Sequence, residues 1–422
     1  MFKRNKRSYS YSAYGYGRKR GLRIKWNRII PAGIAVLAIL VIVVVFNLSR
    51  IRLAFKGYSF SQQSEILEFT SDKINMILSY DKLDHIKDWI SHGTKVKYYD
   101  DYEKYIKIHQ DLSPKDVVKT VDNIMANYMS GLKELGYSEN NVWNVLKTAS
   151  IEDLEYLISK QYSYSTIKPY MSVYGFKFKD MEQYIKAYAS SQNYSYAVLT
   201  TTYPFIIDVS KTKSSYTIQN PSGYLTLVKK GLLLPSTYEP KDLVTPDKKY
   251  TAYKMNKDQP SDYQLRKEAY EAYTQLYNDA NKEGYTILLN SAYRSYKTQQ
   301  KLYQEILNKY GGLYAKEHVA QPGTSEHQTG LGVDFTSQSV VDKKRLVFGD
   351  TKEYQWVVKN CYKYGFILRY REGTSKITGI SHEPWHFRYV GKQAAKIIHE
   401  KGYTLEEYCL YYNKLPKIKE NK

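Results

Sequence analysis

The sequence has little cysteine and lacks the zinc-binding pattern His-Glu-x-x-His. Cys361 and Cys409 are its only two cysteines, so at most one disulfide bond can form. Cys361 lies among apolar residues of a predicted helix, which favours a buried free thiol, and neither cysteine is predicted to be a nucleophile. Because His-Glu-x-x-His is the pattern that binds zinc on one face of a helix, its absence means that a zinc site in this chain needs another geometry.

Acidic residues are absent from the first 28 positions, which hold ten lysines and arginines in a chain of net charge +21. This segment is low in sequence complexity, so we predict a disordered basic tail over 1–28. An uncharged apolar run follows from Ile29 to Phe46 and extends to Leu48, which predicts a transmembrane helix over 29–48. The tail has the charge of a nucleic-acid arm, but the apolar run beside it favours a membrane and no nucleic-acid partner.

A signal-peptide cleavage site is also missing after the apolar run. No Ala-x-Ala-like site follows it and no cysteine lies near it for lipidation, which favours an uncleaved anchor over a removed signal peptide. The dense positive charge before the run exceeds that of Arg50, Arg52 and Lys56 after it. This asymmetry predicts a single-pass protein of the cell membrane with a cytoplasmic N-terminus and the remaining chain outside.

The segment 57–190 is predicted to be a duplicated, mainly helical extracytoplasmic region. Gly57-Tyr58-Ser59 recurs 79 positions later as Gly136-Tyr137-Ser138, and a fixed period of this kind indicates a repeated structural unit. Apolar residues at Val142, Val145 and Leu146 follow helical spacing. The region shows no acid–base pair and no metal-ligand spacing, so we predict a spacer or wall-binding function whose partner the sequence does not name.

A connecting segment is predicted over 191–223 and a further domain, whose candidate metal ligands are described below, over 224–415. Thr, Tyr, Ile and Val are frequent from Tyr194 to Thr217, which predicts short strands there. The later segments predict an α+β fold, in which flanking helices cover a small antiparallel sheet that carries the zinc site. Helices are predicted at Asp262–Gly284, Thr298–Lys309, Tyr354–Tyr364, Lys392–Lys401 and Leu405–Tyr412, and strands at Tyr285–Leu289, Phe366–Tyr370, Ile377–Ile380 and His386–Tyr389.

Two short stretches of this domain concentrate metal-binding side chains. His327 and Asp334 lie seven positions apart, which is too far for one helical turn, and Gly330 between them allows a bend. Glu383 and His386 lie three apart around a proline that suits an extended path. A catalytic zinc needs three protein ligands and an open position, and a spare carboxylate then serves as proton acceptor.

These stretches resemble the zinc D-Ala-D-Ala carboxypeptidases of the VanY type, which are relatives of the D-Ala-D-Ala dipeptidases. The resemblance lies in Ser325-x-His327-x-x-Gly330-x-x-x-Asp334, in Glu383-x-x-His386 and in the block from Ser291 to Gln299 that contains Tyr293-Arg294-Ser295. Three blocks in the family's order make the resemblance specific, and it runs from about Leu225 to Tyr408.

The resemblance implies a role for each of these residues. His327, Asp334 and His386 would bind Zn²⁺, and Glu383 would be the general base. Arg294 would bind the scissile carbonyl and stabilise its oxyanion, while Ser325, Gln299 and Tyr293 would contact the substrate. The implied substrates are peptidoglycan stem peptides that end in D-Ala. His382 is kept as a candidate neighbour of the ligands, and Trp385 and Phe387 are expected to pack in the core.

Two other functions remain open at this point. The same site fits an L,D-carboxypeptidase or an endopeptidase on the same polymer, because the pocket contacts that select the peptide bond to be cleaved are not visible in the sequence. From another class, the chain could be an envelope-assembly or wall-binding protein in which the duplicated region matters most.

Overall fold

The computed structural model describes residues 26–252, 260–345 and 347–421 of the chain. Two compact units divide it, Met1–Gly131 and Leu132–Lys422, and each is described by itself. Of the predicted basic tail over 1–28, residues 1–25 lie outside the described residues. The domain boundaries predicted at 190 and 223 stay predictions.

The described part of the first unit is helical. Ser59 caps one helix by accepting a hydrogen bond from the backbone N–H of Gln62, and Ser113 caps another that begins at Pro114. Trp89 and Tyr102 are fully buried in the core. The helices are α1 (Trp26–Phe46), α2 (Leu48–Phe55), α3 (Phe60–Ile66), α4 (Ser71–Ser79), α5 (Ile86–His92), α6 (Tyr99–Ile108) and α7 (Pro114–Asn127).

The hydropathy of the N-terminal helices bears on the predicted membrane span over 29–48. Among the described residues, no single helix has both the length and the apolar character that crossing a bilayer requires. The segment 33–45 and α2 meet these requirements only together, with a bend of 64° between them.

The second unit begins with a further helical stretch. It contains α8 (Met129–Glu134, in which the boundary between the units falls), α9 (Glu139–Leu146), α10 (Ile151–Ser159), α11 (Tyr164–Met171), α12 (Met181–Ser191) and α13 (Tyr194–Thr202). The strands predicted from Tyr194 were wrong for α13. Asn193 caps this helix by accepting from the backbone N–H of Tyr196, and Val198 and Leu199 are fully buried. The cap and tertiary burial outweigh the β propensity of this threonine-rich segment.

The two predicted copies share local features. Gly57 and Gly136 have φ of 86° and 81°, and Ser59 and Ser138 each cap the helix that follows. The offset between the copies is not constant, because the short 3-10 helices at Val96–Tyr98 and Phe178–Asp180 lie 82 positions apart, whereas Gly57 and Gly136 lie 79 apart. The duplication stays a prediction.

A four-stranded antiparallel sheet forms the centre of the remaining chain. Its strand order is β5-β6-β8-β7, so β6 and β8 lie side by side in the middle. The strands of the chain are β1 (Tyr216–Ile218), β2 (Leu232–Leu233), β3 (Leu243–Val244), β4 (Leu265–Arg266), β5 (Ile287–Ser291), β6 (Gly332–Ser337), β7 (Phe366–Leu368), β8 (His386–Tyr389) and β9 (Ile418–Glu420).

Helices flank this sheet, as the α+β prediction requires. The buried rings of Tyr273 on α14, Phe335 on β6 and Phe387 on β8 pack together, with centroids 5.6 and 5.0 Å from that of Phe335. The helices are α14 (Lys267–Lys282), α15 (Tyr296–Tyr310), α16 (Gly312–His318), α17 (Gln338–Val341), α18 (Lys352–Asn360), α19 (Ser375–Thr378), α20 (Lys392–Lys401) and α21 (Leu405–Tyr411).

Most predicted elements of this domain were found within a few residues of their expected bounds. The strand His386–Tyr389 and the helix Lys392–Lys401 have the bounds that were predicted for them. The strand predicted at Ile377–Ile380 was wrong, because the chain forms the short helix α19 that ends at Gly379 with φ of 82°. Cys361 and Cys409 are buried free thiols, so they do not pair.

Candidate metal centre and active site

Three side chains from separate elements converge at one end of the sheet. His327 lies in a 3-10 helix (Glu326–Thr329), Asp334 on β6 and His386 on β8. One potential ligand atom from each lies within 4.8 Å of the others. His327 Nε2 is 3.5 Å from Asp334 Oδ2, and His386 Nδ1 is 3.0 Å from Asp334 Oδ1.

The backbone explains how residues so far apart along the chain meet. Asp334 is the direct partner of His386 in the β6–β8 register. Gly330 ends the 3-10 helix with φ of 66°, a conformation that glycine adopts without strain, and the chain turns there into β6. A Cβ at Gly330 would also lie 2.9 Å from the side chain of Leu243, which would have to shift to accommodate it.

Hydrogen bonds fix which ring nitrogen faces the centre. His327 Nδ1 is 2.5 Å from the carbonyl oxygen of Ala292, so this nitrogen donates and Nε2 is left for the centre. The ring of His386 has the opposite orientation. Its Nδ1 faces Asp334, while its Nε2 lies 3.3 Å from a carboxylate oxygen of Glu326.

The electrostatics of these groups fit a cation. Burial alone would lower the pKa of His386, but hydrogen bonds to Asp334 and Glu326 raise it to about 9. Burial lowers the pKa of His327, against the opposing effect of Asp334. Burial would raise the pKa of Asp334, but the two histidines hold it well below its usual range. Two imidazoles and one carboxylate form a donor set that zinc accepts, and an ion there would replace the proton on His386.

A buried ionic network, absent from our sequence predictions, lies behind His386. Glu326 Oε1 accepts from Arg369 Nε at 2.8 Å and from Arg388 Nη1 at 2.9 Å. Arg369 also forms a bidentate pair with Glu406 at 2.8 and 2.9 Å. Burial would raise the pKa of Glu326, but the two arginines hold it well below its usual range. The network therefore keeps a carboxylate ionised behind a candidate metal ligand.

Arg294 lies near the same centre and is held by its neighbours. Its Nη1 donates to Gln299 Oε1 at 2.8 Å, and its backbone N–H donates to His327 O at 3.2 Å. Burial lowers the pKa of Arg294, and the charges of Asp334 and Glu383 oppose this shift. The guanidinium therefore lies within electrostatic range of both carboxylates.

Gln299 was expected to contact the substrate, but it is only 1% exposed. Its Nε2 donates to Ala320 O at 2.7 Å and its Oε1 accepts from Arg294. This placement favours a supporting role for Gln299. Ser325 is buried directly before the 3-10 helix, and Tyr293 is half-buried beside Arg294, so both lie in segments that border the centre.

Glu383 is half-buried in the loop that leads into β8. Burial raises the pKa of its carboxyl, and the neighbouring charge of His386 opposes the shift. A raised pKa suits a group that must take up and release a proton near neutral pH.

The neighbours of Glu383 differ in part from the prediction. Phe387 is fully buried as expected, whereas Trp385 is 40% exposed, so its expected core packing was wrong. In a regular strand, residues two positions apart such as Trp385 and Phe387 point to the same face of the sheet. Trp385 lies in the turn before β8, so this rule does not apply to it. His382 Nδ1 donates to the carbonyl oxygen of Tyr370 at 2.9 Å, and His382 is not part of the His327, Asp334 and His386 group.

Comparison with known proteins places this site inside a known family. The VanY model, described as D-alanyl-D-alanine carboxypeptidase, matches residues 262–392. YodJ of Bacillus subtilis (strain 168), which carries the name of a carboxypeptidase, is 44% identical over 211 residues, or 50% of this chain and 75% of YodJ. A D-alanyl-D-alanine carboxypeptidase of Enterococcus faecium is 39% identical over 152 residues, or 36% of this chain and 46% of that protein.

Among solved structures, this chain is similar to that of the LdcB LD-carboxypeptidase, with 43% sequence identity and a TM-score of 0.43. The match covers 49% of this chain and 94% of the LdcB chain. The family match contains every candidate ligand, and the relationship to YodJ extends over three quarters of that protein. The chain belongs to the VanY family of D-alanyl-D-alanine carboxypeptidases.

Proposed function

We propose that this protein is a membrane-anchored zinc carboxypeptidase that removes the C-terminal D-Ala from peptidoglycan stem peptides. The observation that carries the proposal is the convergence of His327, Asp334 and His386 within 4.8 Å, beside Glu383 and Arg294. The E. faecium relative, which is named a D-alanyl-D-alanine carboxypeptidase, supports this substrate class.

The three converging side chains would hold the metal ion. A zinc ion there would act as a Lewis acid that lowers the pKa of water and polarises a carbonyl group. Glu383 would take the proton from the attacking water and deliver it to the amine of the departing D-Ala. Because its pKa is raised, Glu383 holds this proton more readily than an exposed carboxylate does.

Arg294 would stabilise the negative charge that develops on the carbonyl oxygen. The contacts of its guanidinium with Gln299 and Ser291 fix its orientation before the substrate arrives. A donor that is already in place has no reorganisation to complete during the reaction, and such a contact contributes about 3–4 kcal/mol. Ser325 and Tyr293 are the proposed substrate contacts, because they flank the metal ligand and Arg294.

We further propose a single-pass anchor over 29–48, with the catalytic domain outside the membrane. Apolar side chains of α1 are exposed, among them Leu37 at 65% and Val45 at 63%. A contiguous apolar surface of this kind usually has a lipid or protein partner. Deletion of 1–48 should move the protein from the membrane fraction to the soluble fraction, and an unchanged distribution would contradict the anchor.

The catalytic proposal is tested with the full-length protein in detergent and a stem pentapeptide that ends in D-Ala-D-Ala. We expect D-Ala release by the natural chain and a loss of about 10²–10⁴-fold in the Glu383→Gln variant. Unchanged turnover in this variant would remove Glu383 as the base. Release from a tetrapeptide in place of the pentapeptide would instead identify an L,D-carboxypeptidase.

A zinc measurement separates the enzyme from a purely structural envelope protein. A scaffold without an enzymatic function should contain no stoichiometric zinc after purification.

The region over 57–190 is proposed to position the catalytic domain relative to the cell wall.

A further inference from the structure

Glu326 is adjacent to the candidate ligand His327 in sequence, yet its side chain contacts the other histidine. Its Oε2 lies 3.3 Å from Nε2 of His386, on the side of the ring opposite Asp334. Glu326 is 1% exposed, so water does not compete strongly for this contact. The ring of His386 is therefore held between two carboxylates, one on each nitrogen.

The two oxygens of Glu326 have different partners. Oε1 accepts from both Arg369 and Arg388, which leaves Oε2 directed at His386. The carboxylate of Glu326 can rotate only if Arg369 and Arg388 move with it, and both arginines are held by further hydrogen bonds. Arg388 Nη2 donates to the carbonyl oxygens of Tyr224 and Thr226 at 3.0 and 2.9 Å.

Arg369 is fixed from the other side. Its two terminal nitrogens are paired with Glu406, which is fully buried. Bidentate arginine–carboxylate pairs have a defined geometry as well as strength. Arg369 and Arg388 therefore hold the Glu326 carboxylate in place, and the side chains of all three residues are buried.

We infer that Glu326 is a positioning residue that sets the tautomer and ring orientation of His386. By accepting from Nε2–H it keeps the proton on that nitrogen and leaves Nδ1 to face the metal. Carboxylate partners of this kind orient histidine ligands and raise their basicity. The inference rests on the zinc site of the proposed function and adds a residue to which neither the motif resemblance nor the comparisons give a role.

Glu406 supplies a matched control for Glu326. Both are buried glutamates that pair with Arg369, but the hydrogen bonds of Glu406 go to Arg369 and not to His386. Replacing either glutamate by glutamine leaves a buried arginine undercompensated, so both variants lose folding stability. Glu406→Gln leaves the contact between Glu326 and His386 in place, because Arg388 still holds Glu326, whereas Glu326→Gln alters the partner of the metal ligand itself.

The zinc affinity of the full-length variants is measured by competition with a chromophoric chelator, after circular dichroism has shown that they are folded. We expect Glu326→Gln to bind zinc about 10–100-fold more weakly, and Glu406→Gln to stay close to the natural chain. The visible spectrum of the Co²⁺-substituted protein should change only in Glu326→Gln. Equal loss in both variants, or no loss in Glu326→Gln, would overturn the inference.

A measurement on the natural chain covers the case in which both variants fail to fold. The chain has eight histidines, so ¹⁵N spectra of histidine-labelled protein are simple. On zinc addition, one ring should show a metal-bound Nε2 and a second ring a metal-bound Nδ1 with a protonated Nε2. Two rings bound through Nε2 would overturn the inference. If no ring responds to zinc, the proposed function itself fails, so the two failures are distinguishable.

Discussion

Asp334 lies directly opposite His386 in the β6–β8 register, and its Oδ1 is 3.0 Å from Nδ1 of the imidazole. Its other oxygen lies 3.5 Å from His327 Nε2, so one carboxylate faces both histidines. The Asp334 carboxylate therefore balances the positive charge of a proton or of a metal ion that is bound between the two histidines.

Asp334→Asn should reduce zinc affinity by more than about 100-fold, because changes in residues that only support a ligand already cost about 10–100-fold. The amide keeps the shape of the side chain but removes its charge. Metal titration of the purified protein measures the effect. Asp342→Asn is the control, because Asp342 is an exposed aspartate outside the centre. Comparable zinc affinity in Asp334→Asn and the natural chain would contradict a ligand role for Asp334.

Arg294→Lys should lower kcat for D-Ala release by about 10²–10³-fold with a smaller effect on KM, as expected for a contact made in the transition state. Lysine retains the charge but lacks the planar fork that binds Gln299. Steady-state kinetics on the pentapeptide give both constants. Arg345→Lys, at an exposed position, should leave them unchanged. A rise in KM alone would assign Arg294 to ground-state substrate binding.

Gly330→Ala should lower the free energy of unfolding by about 1–2 kcal/mol, because a side chain strains the left-handed backbone at φ of 66°. The added Cβ would also lie 2.9 Å from Leu243 and 3.0 Å from Arg266. Denaturant unfolding measures the change. The control is Gly312→Ala, whose Cβ would meet its nearest neighbour at an ordinary 3.7 Å. Equal stability of the two variants would contradict the argument.

The buried network should make folding stability fall in acid. The pKa values of Glu326 and Glu406 in the folded chain lie below the ordinary 4.5, because their arginine partners outweigh burial. The unfolded chain therefore takes up protons first as the pH falls. The stabilisation is complete above about pH 4.5 and decreases below it, by about 1.4 kcal/mol per pH unit for each carboxylate.

Denaturant unfolding between pH 3 and pH 7 tests this pH dependence. Glu406→Gln should show a shallower loss of stability in acid than the natural chain, since it lacks one titrating group. Glu400→Gln, at an exposed position, should retain the natural slope. Identical slopes in all three proteins would show that the network contributes nothing to acid sensitivity.

The sequence predicted the candidate centre better than its surroundings. His327, Asp334 and His386 fall in two short motifs, so their chemistry could be recognised without the fold. Glu326 lies within the same motif, but its partners Arg369 and Arg388 are 43 and 62 positions away. A pairing over such distances depends on tertiary structure, and periodicity and local spacing carry no signal for it.

Local propensity also failed where a cap or a turn decided the structure. The segment that begins at Tyr194 has strand-like composition, yet Asn193 caps it as a helix. Trp385 follows a proline in an extended stretch and was expected to pack in the core, but it is 40% exposed next to the centre. An asparagine before a mixed segment is a recognisable start signal for a helix. The exposure of Trp385 depends on the turn before β8, which the sequence did not define.

The most direct test of the account is the zinc content of the purified full-length protein and of two histidine variants, measured by mass spectrometry of the metal. His386 is a proposed ligand, whereas His382, four positions earlier, is hydrogen-bonded to Tyr370 outside the converging group. We expect about one zinc ion per chain in the natural protein and in His382→Ala, and almost none in His386→Ala. Absence of zinc from the natural protein, or equal zinc in both variants, would contradict it.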